Sequence, residues 1–369
     1  MYSPVAEVHL DRLIRNYEKV NARVGDAQVM PVVKADGYGH GAVPVTQALE
    51  EAGADFFGVF TMGEALELRR AGIGGEILTF ECLNGDVLEL AVENNITVNM
   101  SWHDQIKMLS DFVAEKGACP KVHLKVDTGM TRLGVLMDEV EKILDELKNH
   151  PEIHLEGIYS HYATSDEGDK SYADLQTERF AQTVGLAEEI GLDLKYCHIS
   201  NSGSVLDMHQ SYFNLVRVGM ILYGAYPSDE TSESIDLEPA MNFTGPVVQL
   251  KRVQAGTPVS YGSVYAPDSD AYIAVVQTGF ADGMPRNWFR EGYVGYKGSN
   301  YRIAGRVCMD QFMVNFGDDK PAMGDHVLIF GDDGKNRIPL EEIAQKTDLT
   351  TYVLMTAIGG RTRRIYVEG

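Results

Sequence analysis

Cysteine is scarce in this 369-residue chain: Cys82, Cys119, Cys197 and Cys308 are the only four, and none forms a CxxC pair. That spacing argues against a disulfide framework and supplies no metal-ligand set, so reduced thiols and no metal site are expected. Positive charge is also in short supply. Against 54 Asp and Glu there are 32 Lys and Arg, a formal net charge of −22, which speaks against general binding of nucleic acid or anionic membranes. No apolar run reaches the roughly 18 residues that a membrane helix needs. The start, MYSPVAEVHLDRLIRNY, lacks a basic leader and an apolar core of signal-peptide type, so a cytoplasmic protein is expected.

What the chain does have is a repeating alternation. Strand-like segments occur at VMPVVK (29–34), FFGVF (56–60), EILTF (76–80), ITVNM (96–100), VHLKVD (122–127), HLEGIYS (154–160), KYCHIS (195–200) and NLVRVG (214–219). Stretches with helical spacing lie between them, among them 63–72, 103–117 and 171–191. Eight such units predict an α/β fold, a (β/α)₈ barrel, with an open doubly wound sheet as the alternative. The polar, acidic segment PSDETSESIDLEP (227–239) reads as a linker. Beyond it, GPVVQLKRV, AYIAVVQTG, YRIAGRVCM and HVLIFG follow one another with turn residues between, predicting a mainly β domain. The division is 1–235 and 236–369.

Active sites of such barrels gather at the C-terminal ends of the strands. Lys34, in VVKADGYGHG, is placed there with a Gly-rich turn behind it, where desolvation would make it an imine-forming nucleophile. HLKVDTGMTRLG delivers Arg132, whose fork suits a carboxylate or phenolate. His161 ends the sixth strand. Asn201, Ser202 and Gly203 precede a helix and offer amides and a hydroxyl to a phosphate, and Gly219 would allow close backbone approach. The spacing matches neither a Walker nor a dinucleotide fingerprint. An amine and a phosphate cradle together suggest pyridoxal phosphate.

With VVKADGYGHG, HLKVDTGMTRLG, HISNS, VRVGMILYG, VSYGSVY, GFADG and GRVCMDQ in order over nearly the whole length, the chain resembles the alanine racemase family of fold-type III pyridoxal phosphate enzymes. The resemblance implies a homodimer that interconverts L- and D-alanine for peptidoglycan synthesis. It implies that Lys34 holds the cofactor and serves as one acid/base group, with Tyr261 from the other subunit as the second. Tyr38, Asn201, Ser202, Gly219, Met220 and Tyr352 would surround the phosphate. Arg217 would face the pyridine nitrogen, and His161 would link to Arg217 and support Tyr261. Because a guanidinium does not readily yield a proton, the ring nitrogen would stay unprotonated, which favours returning a proton to Cα over transamination.

Arg132 and the amide of Met309 would take the substrate carboxylate. Lys125 resembles a lysine carbamylated in some members, and Asp166, Arg286, Arg306 and Asp310 match positions lining or bracing the entrance. Phe280 stands where tyrosine is frequent, and Thr131 where glycine is more usual. The alternatives are a serine or broad-specificity racemase, a fold-type III decarboxylase, and a non-catalytic cofactor carrier. Arg132, Tyr261 and the β domain speak against the last two.

Overall fold

A computed structural model describes residues 2–368. Its first strand, β1 (Val5–His9), is followed by β2 (Gln28–Pro31), β3 (Phe56–Val59), β4 (Glu76–Thr79), β5 (Val98–Met100) and β6 (Val122–Asp127). A short β7 (Val135–Leu136) lies beside β6, and β8 (Leu155–Tyr159), β9 (Tyr196–His198) and β10 (Leu215–Val218) complete the first part. All eight predicted strands are present. Their side chains are buried on both faces, as in Phe56 and Phe57 or Leu124 and Val126, which is the pattern of a parallel sheet covered by helices.

Closure distinguishes the barrel from an open sheet. Parallel ladders join β3 to β4, and β5 to β6, β8 and β9. Single bridges, Val32 to Gly58 and Leu78 to Thr97, span the two gaps between them. β10 pairs with β2, and the Arg217 amide donates to Ser200 O at 3.0 Å across the remaining seam. The helices at Met62–Arg70, Asp104–Lys116 and Ser171–Glu189 fall where their periodicity places them. Thr61 and Glu64 close the first with a capping box.

The second sheet contains β11 (Met241–Val253), β12 (Ala271–Val276), β13 (Tyr293–Tyr296), β14 (Ser299–Arg302), β15 (Phe312–Asn315), β16 (His326–Asp332), β17 (Arg337–Ile338) and β18 (Arg363–Val367). It also takes in β1, which pairs antiparallel with β11 and parallel with β18. The first residues of the chain therefore complete the second sheet, which a division at 235/236 does not anticipate. Five residues carry too short a pattern to say which of two sheets they join.

Two further departures matter for the site. The segment 227–239 is no loose linker: Ile235 and Leu237 are buried, and Glu238 pairs with Arg15 at 2.7 Å and Lys19 at 2.9 Å. Before β18 the chain forms helices at Leu340–Thr347 and Thr351–Thr356, which bring Tyr352 against the barrel. All four cysteines are free. Among the described residues no helix is long and apolar enough to cross a membrane.

Candidate active site

Lys34 follows the end of β2 and opens a turn of unusual hand. Ala35, Asp36, Gly37 and Tyr38 have φ of 54°, 54°, 59° and 51°, a left-handed helical turn in which three residues carry a Cβ. Each such residue costs roughly 1–2 kcal/mol, so the surroundings must hold it. They do so from both parts of the chain. Glu64 accepts from the Ala35 amide at 2.7 Å, and Asp36 accepts from Ala42 N at 2.9 Å. Arg364 of β18 reaches Gly39 O at 2.8 Å and Asp36 at 3.0 Å. Gly39 has no room for a side chain, because a Cβ there would strike the Met355 carbonyl. Burial, then the neighbouring guanidinium groups of Arg132 and Arg217, holds the Lys34 amine below its usual pKa.

Arg217, on β10, is almost wholly buried and is the hub of the barrel mouth. Nη1 meets His198 Nδ1 at 2.9 Å and His198 O at 3.1 Å. Nη2 meets Ser160 O at 2.8 Å, Ile199 O at 3.0 Å and His161 Nδ1 at 3.2 Å. Among the described residues no acceptor meets its Nε, so one donor remains for a ligand. Burial lowers its pKa to about 10, which still leaves a cation at neutral pH. His161 departs from the expectation that it could bring positive charge to a phenolate. Burial first, then Lys125, Arg217 and Arg132, hold its pKa far below the usual value, so it is a neutral imidazole. Since an arginine only donates, His161 Nδ1 accepts and its proton sits on Nε2.

Lys125 on β6 is buried with its Nζ 4.4 Å from the centre of the Tyr159 ring, and desolvation together with Arg217 and Arg132 drives its pKa far down. The following loop is shaped by Asp127, whose Oδ1 accepts from Gly129 N at 2.9 Å and Thr131 N at 3.0 Å. Thr131 itself has φ 57°, which accounts for glycine being the more usual residue there. Arg132, next in the chain, is exposed and forms no ion pair among the described residues.

The Ser202 hydroxyl accepts from the Gly219 amide at 3.1 Å, so the two proposed phosphate contacts lie together. The Tyr38 ring covers Gly219 so closely that a Cβ would come within 2.6 Å of its hydroxyl. Tyr352 stands 6.1 Å from Tyr38, ring to ring, and Asp166 is near enough to Tyr352 to act on its phenol. Burial pushes the pKa of both phenols up. Met220 opens the turn Met220–Tyr223 beside them. Asn201 has a supporting task, because its side chain is taken by a capping box with Ser204 and by Ser165 Oγ at 2.8 Å.

The remaining predicted residues lie in turns between strands of the second sheet and are not gathered at this mouth within one chain. Tyr261 is 68 % exposed and Met309 56 %. Ser260 Oγ donates to Arg306 O at 2.6 Å, and Gly262 packs on the Arg306 guanidinium, so Arg306 braces the Tyr261 turn. Arg286 is exposed at the start of Arg286–Arg290. Asp310 pairs with Arg361 at 2.7 Å, and Arg361 also holds Asp282 at 3.0 Å, tying GFADG to GRVCMDQ. Sequence reasoning missed Arg361, Arg364, His198, His123, Glu156 and Tyr159. The histidines within HLKVD and HISNS were the available signal.

Both parts of the chain match known proteins. The description "Alanine racemase, N-terminal domain" matches residues 8–227, and "Alanine racemase, C-terminal domain" matches 240–366. The chain belongs to the alanine racemase family. "Alanine racemase 2" of Caldanaerobacter subterraneus is 39 % identical over 364 residues, covering 98 % of this chain and 94 % of the relative. The alanine racemase structure from Streptomyces lavendulae superposes with a TM-score of 0.93 at 35 % identity, covering 100 % and 98 % of the two chains. That from Bartonella henselae, with covalently bound pyridoxal phosphate, has a TM-score of 0.88 at 26 % identity and full coverage of both.

Proposed function

We propose that this chain is a pyridoxal phosphate-dependent alanine racemase that works as a homodimer. The carrying observation is Lys34 with an amine held toward its neutral form, at the mouth of a barrel where Arg217 leaves only Nε open. The residues fit the cofactor: an amine with a lowered pKa for its aldehyde, one donor for its ring nitrogen, and the Ser202 hydroxyl beside the Gly219 backbone for its phosphate. When bound, pyridoxal phosphate supplies an electrophilic carbon for the substrate amine and a conjugated ring that takes up the electron pair left as the Cα proton departs.

The chain's own groups do the rest. Lys34 Nζ, its pKa lowered by burial and by Arg132 and Arg217, is the group to take a proton from Cα on one face or return one there. Arg217 keeps its protons, so its Nε donates a hydrogen bond without transferring one. Arg132, with no counter-ion among the described residues, holds the substrate carboxylate, which also disfavours a decarboxylase. Racemisation needs a second acid/base group opposite Lys34. Tyr261 is exposed in one chain, so a second copy must bring its hydroxyl to that face, together with the Met309 amide. His161, with its proton on Nε2, is the donor available to that phenol. The Lys125 amine can add through nitrogen to CO₂, releasing one proton to water, and the resulting carbamate, an anion near both Arg217 and Arg132, would brace Arg132. Supply of D-alanine for peptidoglycan is the role that the family resemblance supports.

Polarimetry of L-alanine with the cofactor-loaded protein tests this reading. Rotation should decay to zero, and a loaded protein that leaves it unchanged would overturn the assignment.

A further inference from the structure

Behind Arg217 a line of polar side chains runs down the barrel axis to its floor. His198 Nε2 lies 2.9 Å from His123 Nδ1. His123 Nε2 faces Glu156 Oε2 at 3.7 Å, longer than a hydrogen bond, and neither atom has a hydrogen-bond partner among the described residues, so each is the other's nearest electrostatic complement. Both imidazoles are completely buried. Tyr159 stacks on His198 at 4.9 Å and 6°, while Phe56 and Tyr196 flank His123 with ring centres at 5.9 and 5.6 Å.

Donor rules set the direction of this line. Arg217 cannot accept, so His198 Nδ1 carries no proton and a neutral ring must hold it on Nε2. That proton points at His123 Nδ1, which must accept, leaving the His123 proton on Nε2, aimed at Glu156. Glu156 is a fixed anion. Burial opposes its charge, but His123 and the ammonium groups of Lys121 and Lys195, each 3.7 Å from Oε1, outweigh this and hold its pKa low. The same lysines grip Glu76 at 3.3 and 2.9 Å, so the floor is an ion-pair ladder.

We propose that Glu156 and His123 are positioning residues for the reaction, acting through His198 to fix the orientation and proton inventory of Arg217. Each link polarises the next, so a carboxylate at the floor makes His198 Nδ1 a stronger acceptor at the mouth. Arg217 is thereby held with Nε outward and is kept from surrendering a proton. This inference rests on the reading of Arg217 as the group facing the cofactor ring.

The test uses Glu156→Gln, which keeps shape and removes charge, His123→Leu, which breaks the line, and His123→Gln, whose amide can accept from His198 and donate to Glu156. In cofactor-free protein, ¹⁵N shifts of labelled histidine should show His198 and His123 both protonated on Nε2. With pyridoxal phosphate bound, the ratio of racemisation to pyruvate formation should fall by about three- to tenfold in Glu156→Gln and His123→Leu, and recover in His123→Gln. If His123→Leu does not fold, Glu156→Gln decides alone. A proton on Nδ1 of either ring, or an unchanged ratio in Glu156→Gln, would overturn the proposal. Failure of the wild-type protein to racemise alanine would instead overturn the functional reading and leave the tautomers as measured.

Discussion

Arg364 Nε donates to Gly39 O over 2.8 Å, so the last strand of the chain fastens the left-handed turn that begins at Lys34. The same side chain holds Asp36 at 3.0 Å and Ile358 O at 3.2 Å. Lys34, proposed to hold the cofactor, is thus kept in place from the second sheet, where β18 pairs with β1.

Arg364→Ala should therefore affect both stability and the site. Loss of charge-assisted contacts in a partly buried place costs about 2 kcal/mol, seen in the denaturant midpoint. Relaxation of the turn should also weaken pyridoxal phosphate binding, measured by fluorescence titration. Arg364→Lys should recover only part, because an ammonium cannot reproduce the fork.

The proposed sharing of sites between two chains makes a sharp expectation for mixtures. Lys34→Ala and Tyr261→Phe should each be nearly inactive alone. After unfolding and refolding together in equal amounts, about a quarter of wild-type activity should return, since half the dimers are mixed and each has one complete site. No recovery would mean that each chain completes its own site.

Thr131 sits at φ 57°. Thr131→Gly removes strain of roughly 1–2 kcal/mol but adds unfolded-chain freedom of about 0.5–1 kcal/mol. The variant should be more stable by up to about 1 kcal/mol in urea unfolding, with the Asp127 turn retained.

Acid should destabilise the protein through its buried histidines. Burial lowers the His40 pKa to about 4, against about 6.5 unfolded. Between those values the unfolded chain binds the extra proton, so stability is complete above pH 6.5 and is lost as pH falls toward 4. His40 alone accounts for about 3 kcal/mol at most, and His123, His161 and His198 act in the same direction. Denaturant midpoints from pH 7 to 4.5 should show the slope, and His40→Gln should reduce it.

Much of the site was legible because barrel strands end where chemistry happens. Lys34, His161, Ser202 and Gly219 each follow a segment whose apolar run announces a strand, and their order matches a known family. The line from Arg217 to Glu156 was not legible. His123 and His198 are 75 positions apart, and each looks like an ordinary core histidine until closure of the barrel turns both inward. Arg361 and Arg364 were missed because the C-terminal stretch carries no periodic signal that names their partners.

Residue order by itself settled the alternation of strand and helix, the shift to a β-rich second part, and the identities of the amine, the guanidinium groups and the hydroxyls, because these depend on local pattern and side-chain chemistry. Tertiary structure alone decided that β1 belongs to the second sheet, that Lys34 and Lys125 are desolvated by burial and nearby cations, and that Tyr261 is left exposed. Those outcomes depend on which distant segments share a wall, and dielectric, charge and hydrogen-bond direction are properties of that neighbourhood.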